Sequence, residues 1–366
     1  MASPTLTLSL LRPRNFAFAG LAAGALSFGF AYRFALRYRS RAGLPVRSPV
    51  EGAPADFGLV SELVSLPGPP GGPETLAAWW IPAAGASKRA VKPHPAVVIL
   101  HGWESNRGRS LAHVRYLHAS GFHCLAIDAR GHGDNPPEQV AISVPEFAAD
   151  AAAAARWLAA RPDVSGVGLI GHSMGGAGVI VAAAQESAVG AVVAMSAPAD
   201  PVRMTRRTFE LAEMRIPGPI AMPLAALTAA VLLVARRHSI EDASASAAAA
   251  RYRGPLFLIH GEDDRAVPVS HLTLIADAAR KQRRQPGSAE VETLVLPGFG
   301  HRWLYEAPET RRRVASFLAR SLGGPVSAHK AGELAAACVV ERPVDPGFGF
   351  GAIPDVSPAT DPTRPH

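Results

Sequence analysis

The chain has 366 residues, 48% of them hydrophobic and 18% charged, so it is long enough for one large domain with extensions and can fill a core. Two cysteines, Cys124 and Cys338, exclude a disulfide framework and a cysteine-based metal cluster. The net charge of +7 is carried mainly by arginine, in clusters from Arg33 to Arg47, Arg203 to Arg207, Arg280 to Arg284 and Arg311 to Arg313. No basic stripe interleaved with aromatics appears, so nucleic acid is not an expected partner, and the excess reads as attraction to a membrane surface plus solvated helix faces.

Phe16 to Tyr32 is an uncharged run, near the lower length limit for a spanning helix. A cleaved signal peptide and a buried helix are the competing readings. The favoured one is a single-pass membrane anchor, with residues 1–41 as anchor and basic flank. Arg33, Arg37, Arg39, Arg41 and Arg47 follow the run, which by the positive-inside rule puts the downstream domain in the cytoplasm. Residues 42–56, rich in proline, read as a linker.

A strand is expected within Phe57 to Leu66 and a second over Leu76 to Ile81, forming an antiparallel start. Ala96 to Leu100 is a continuous apolar run, as for a strand buried on both faces, and it ends in His101-Gly102-Trp103. Ser110 to Ser120 reads as a helix. Phe122 to Asp128 is the next buried strand, closed by Asp128-Ala129-Arg130-Gly131-His132-Gly133-Asp134, a structural turn held by Arg130 and Asp128. Ser143-Val144-Pro145-Glu146 is a capping box with an early proline, opening a helix that runs to about Ala160.

Val167 to Gly178 then reads as a short apolar strand, a sharp turn and a helix start. Gly171-His172-Ser173-Met174-Gly175 fits the Gly-x-Ser-x-Gly nucleophile elbow, which lifts a serine above a sheet where strand and helix pass too close for a Cβ. The helix N-terminus behind it favours negative charge. Ala191 to Met195 is another strand. Strands thus alternate with helices, the pattern of a parallel sheet covered on both faces.

Residues 201–250 interrupt the alternation. The uncharged stretch from Pro223 to Ala235 is read as part of a cap over the active site, its apolar surface lining an acyl pocket or touching lipid; a second membrane span and a plain buried helix are the alternatives. Leu256 to His260 is a strand ending in Gly261-Glu262-Asp263-Asp264. Ser270 to Gln282 is a helix, Val291 to Leu296 the last strand, and it ends in Gly298-Phe299-Gly300-His301. Glu309 to Leu322 closes the fold. Residues 323–366 show no sustained pattern and read as a disordered tail.

A serine, an acid and a histidine, each after an apolar strand, come in the order serine, acid, histidine, the order of the α/β-hydrolase triad. Strand ends on one edge of an open parallel sheet form a ligand crevice, so groups far apart in sequence can converge. Glu262, Asp263 and Asp264 all stand at the acid position. Four histidines follow them: His271 falls in a helix, His329 and His366 in the tail, and His301 in a glycine-flanked loop after a strand.

Residues 57–322 resemble the α/β-hydrolase superfamily, and most of all bacterial serine hydrolases with His-Gly-Trp, Asp-x-Arg-Gly-His-Gly, Gly-x-Ser-Met-Gly-Gly, His-Gly-Glu-x-Asp-x-x-Val-Pro and Gly-x-Gly-His. All five stand here in family order. The resemblance implies an α/β fold with a mostly parallel sheet, helices on both faces and a helical cap at 201–250. It implies acyl-ester chemistry by Ser173, His301 and, four residues before the Val-Pro proline, Asp264, with Asp263 and then Asp200 as lesser choices. Backbone N–H groups of Trp103 and Met174 would hold the oxyanion. No metal or organic cofactor is expected, and the serine argues against relatives that use an aspartate nucleophile. The function expected is a membrane-tethered esterase, lipase or thioesterase acting on a small or lipid-like ester. A serine peptidase of the same fold is the alternative, and a non-catalytic binding module the more remote one.

Overall fold

The computed structural model describes residues 29–37, 43–84, 93–283 and 289–340. Eight strands form one sheet in the order β1-β2-β4-β3-β5-β6-β7-β8. They are β1 (Glu62–Pro67), β2 (Thr75–Ile81), β3 (His94–Leu100), β4 (His123–Ile127), β5 (Val164–His172), β6 (Val189–Met195), β7 (Leu256–Gly261) and β8 (Val291–Leu296). The pairings β1–β2 and β2–β4 are antiparallel, and all the others are parallel. The apolar runs behind this are unbroken because both faces are covered: every residue of β4 and of β7 is buried.

Residues 29–37 are helical (α1), followed by α2 (Leu111–Ala119), α3 (Val144–Ala159), α4 (Met174–Ala183), α5 (Pro201–Leu211), α6 (Gly218–Val234), α7 (Ala245–Arg251), α8 (Ser270–Lys281), α9 (Pro308–Leu322) and α10 (Ala328–Ala337). One core, with Leu125 and Leu169, is covered by α3, α4, α7 and α8. The other, with Ile99 and Phe257, lies under α2, α9 and α10. At the start of α3 the Ser143 N–H donates to Glu146 Oε2 at 2.8 Å, one half of the expected capping box.

Three expectations need correction. The linker at 42–56 is not a free spacer where it is described. Asn106 Nδ2 donates to the Ser48 hydroxyl (3.0 Å) and the Pro49 carbonyl (2.9 Å), and Arg47 donates to the Gly133 carbonyl, so the prolines shape a strap tied to the domain. The tail is not structureless from residue 323: α10 packs on α9 with Ala331 and Ala335 fully buried, and Arg311 of α9 donates to the carbonyls of Ala335 and Ala336 at its C-terminus. Small residues let the two helices approach closely, which leaves little hydrophobic periodicity to read. Residues 341–366 lie outside the described residues.

The third concerns Arg130. It does hold the turn after β4, but through Asp150 of α3, with Nη2–Oδ1 at 2.6 Å. The buried Asp128 instead takes Arg107, whose backbone N–H also donates to it at 2.7 Å. Gly133 sits at φ 50°, and a Cβ there would overlap the Asp128 carboxylate. The anchor run Phe16 to Tyr32 falls mostly outside the described residues. Among the described residues no helix is long and apolar enough to cross a membrane.

Candidate active site

The elbow forms where β5 meets α4. Ser173 sits between them at φ 53°, ψ −119°, a backbone setting that costs an L-residue on the order of 1–3 kcal/mol. Its N–H donates to the Met195 carbonyl at 2.8 Å, and its own carbonyl accepts from Ala177 N–H at 3.0 Å, so strand and helix together hold the turn. A Cβ on Gly171 would overlap the Gly175 backbone, and one on Gly175 would overlap the carbonyls of Leu100 and His101. The glycines therefore let α4 start directly against the end of β3. The Met174 N–H belongs to the first turn of α4, where backbone donors have no acceptor within the helix.

The residues expected as acid and base come from the ends of β7 and β8. Asp264, after β7, is 5% exposed. Its Oδ2 accepts from His301 Nδ1 at 2.8 Å, and its Oδ1 accepts from the N–H groups of Ala266 (2.9 Å) and Val267 (2.8 Å). His260 Nε2 lies 3.2 Å from Oδ2 and 2.8 Å from the Val267 carbonyl. Burial works against the charged carboxyl. The His301 charge and the hydrogen bonds from His260 and His301 outweigh it and hold Asp264 well below the usual carboxylate range. His301, in the loop after β8, lines the same cavity as Ser173.

Trp103 also lines that cavity, in the loop that follows β3. His101 lines the cavity too, but both ring nitrogens are engaged in fixing this loop: Nδ1 donates to the Gly102 carbonyl (2.7 Å), and Nε2 accepts from Ala129 N–H (3.0 Å). Asp263 is exposed and lines the cavity, whereas Asp200 caps α5, accepting from Arg203 N–H at 2.9 Å. His271 accepts from Ala199 N–H at 2.9 Å, away from the cavity lining. Among the described residues no cluster of His, Cys, Asp and Glu could hold a metal ion.

The insertion expected as a helical cap at 201–250 is helical throughout most of its length. It folds as α5, α6 and α7 between β6 and β7, and none of its residues lines the cavity. It meets the cavity wall where Arg207 Nε donates at 3.0 Å to the carbonyl of Arg265, a lining residue. The apolar residues of α6 turn partly inward, with Ala225, Val231 and Leu233 buried, and leave Ile220 and Val234 exposed. Several lining residues escaped the sequence reading, and two of them are polar groups from remote elements. Ser48 comes from the strap, and His113 from the buried face of α2. Neither stands in a recognisable motif.

Buried histidines around the site set an acid limit on the fold. Burial lowers the pKa of His101, His113 and His271 to about 4, and that of His132 to about 3. Unfolded, each titrates near 6.5, so between about 4 and 6.5 the unfolded chain binds more protons. Stability then falls as pH drops through that window, by on the order of 2 kcal/mol per ring at pH 5. Denaturant unfolding from pH 7.5 to 4.5 should show a steady loss of stability below about pH 6.5. A flat profile would mean that these rings are not neutral in the fold.

A family model described as "Serine aminopeptidase, S33" matches residues 91–232. Human Protein ABHD12B is 29% identical over 239 residues, covering 62% of this chain and 61% of its own length. Lysophosphatidylserine lipase ABHD12 of Macaca fascicularis is 24% identical over 267 residues, covering 67% of this chain and 62% of its own. This chain thus spans less than two thirds of either relative. The solved Pyrococcus furiosus esterase Pf2001 superposes with a TM-score of 0.57 at 22% identity, covering 76% of this chain and 99% of its own.

Proposed function

We propose that this chain, a member of the α/β-hydrolase superfamily, cleaves carboxylic esters or thioesters through an acyl-enzyme formed on Ser173. The observation that carries the reading is the Asp264–His301 hydrogen bond at 2.8 Å, with His301 lining the same cavity as an elbow serine.

His301, held by Asp264 at Nδ1, leaves Nε2 to take the Ser173 proton as Oγ attacks the carbonyl. Asp264, charged and buried, fixes the tautomer and stabilises the imidazolium. The N–H groups of Met174 and Trp103 hold the oxyanion, each lowering the barrier by about 2.7–4 kcal/mol. His301 then returns the proton to the leaving alcohol or thiol, and water repeats the sequence on the acyl-enzyme. The likeness to lysophosphatidylserine lipases adds lysophospholipid-like esters to the substrates to be tried.

Purified protein should turn over p-nitrophenyl esters, and a fluorophosphonate should label Ser173, as located by peptide mass spectrometry. An acetate-to-palmitate series then sizes the cavity. A folded protein that neither turns over any ester nor takes the label would overturn the reading. The likeness to a serine aminopeptidase family supports a second reading, peptide hydrolysis. Turnover of aminoacyl p-nitroanilides in preference to esters would select it.

A further inference from the structure

The base loop and the nucleophile have no shared strand pairing. Ser173 follows β5 and His301 follows β8, and the sheet order puts β6 and β7 between them. Neighbouring strands lie about 4.8 Å apart, so the loop after β8 must reach back across roughly 14 Å to bring an imidazole to the serine. Asp264 fixes the His301 ring through Nδ1 but comes from the loop after β7, two strands from the elbow. Something else has to set the loop against the end of β5.

His172 makes that connection. It is the last residue of β5, immediately before Ser173, and it lines the same cavity. Its Nε2 donates to the His301 backbone carbonyl at 2.7 Å. Its ring also packs against the His301 ring, with centroids 4.9 Å apart and planes 55° apart. On its other side lies the loop after β3, where Gly102 comes so close that an added Cβ would stand 3.4 Å from His172 Nδ1. One side chain on the elbow thus bonds the base loop and lies beside the loop that carries Trp103.

From this geometry we propose that His172 is a positioning residue for the base, tying the His301 loop to the nucleophile strand by its Nε2–H. The inference rests on the serine-hydrolase reading above. His301 is then held at two independent points, its ring by Asp264 and its backbone by His172, each from a different strand end. The ring suits the task because it stays neutral. Burial first, and then the neighbouring His301 charge, lower its pKa to about 3, so no second cation opposes the imidazolium formed in catalysis. The titratable groups facing it are His301, Asp264 and His113.

Three variants of the full chain test the proposal, with kcat, KM and melting temperature measured for each. His172→Phe keeps a ring and loses the donor. His172→Gln keeps an N–H at similar reach, and His172→Ala removes both. We expect kcat to fall about 100-fold in the phenylalanine and alanine variants, the scale of a loop misplaced by an ångström, with KM within twofold. The glutamine variant should recover most of that loss. A packing role would give the opposite order, with phenylalanine near wild type and glutamine impaired, and would overturn the proposal. So would wild-type kcat in His172→Phe while turnover still requires Ser173. Wild-type turnover that is indifferent to Ser173→Ala would instead overturn the hydrolase reading, and this inference with it.

Discussion

Alanine at position 173 should lower ester turnover by about six orders of magnitude, to the level that oxyanion donors and binding alone sustain. The size follows from the role: without Oγ there is no covalent step to divide the barrier, and His301 has no proton to accept. The fold should not change. Alanine carries the same Cβ as serine into the same backbone setting, the Ser173 N–H bond to Met195 involves only backbone, and the side chain is 7% exposed. The check is kcat on a p-nitrophenyl ester beside a thermal melt. Activity within tenfold of wild type, in a variant free of wild-type contamination, would place the nucleophile elsewhere. A binding role without chemistry would leave ligand affinity intact in the same variant.

Asparagine at position 264 should cost about 10⁴ in kcat with little change in KM. All the groups around the Asp264 carboxylate are donors: two backbone N–H groups on Oδ1, and His301 Nδ1 and His260 Nε2 on Oδ2. An amide can offer only one oxygen. If that oxygen stays with Ala266 and Val267, the NH2 meets His301 Nδ1 and forces the proton onto Nε2. The nitrogen facing the serine is then a donor and cannot act as a base. The opposite amide orientation sets NH2 against two fixed backbone donors, which is costlier in a buried site. Asp263→Asn, at the exposed neighbour, should stay near wild type. If it were instead the inactive member of the pair, the acid would be Asp263.

The parts legible in the sequence are those that a one-dimensional pattern has to carry. Strands buried on both faces must be continuously apolar, as in Ala96 to Leu100 and Leu256 to Ile259. An elbow needs glycine where backbones nearly touch, as at Gly171 and Gly175. A capping box needs its glutamate three residues on, as at Glu146. The parts not legible depend on which buried polar groups meet. Arg107 reaches Asp128 across 21 positions, and Asn106 holds Ser48 across 58, with no local signal for either. Helix α10 announces itself only by Ala331 and Ala335, residues equally at home on a surface. The apolar stretch in α6 suggested a cavity wall, yet none of its side chains lines the cavity, and Leu233 packs into the core beside the sheet. His172 and His260 stand in the quoted motifs, but their contacts with His301 and Asp264 appear only when four strand ends are brought side by side.

The backbone of Ser173 has a consequence of another kind. At φ 53°, ψ −119° this position would be more comfortable as glycine, so folding here proceeds against a local preference that the rest of the sheet must override. With Ser173 in its proposed role, the sequence that maximises thermal endurance and the sequence that can attack a carbonyl therefore differ at this residue. Selection for robustness alone would drift away from the serine. Selection for turnover must keep it and recover the deficit in remote packing, such as the closing pair α9 and α10.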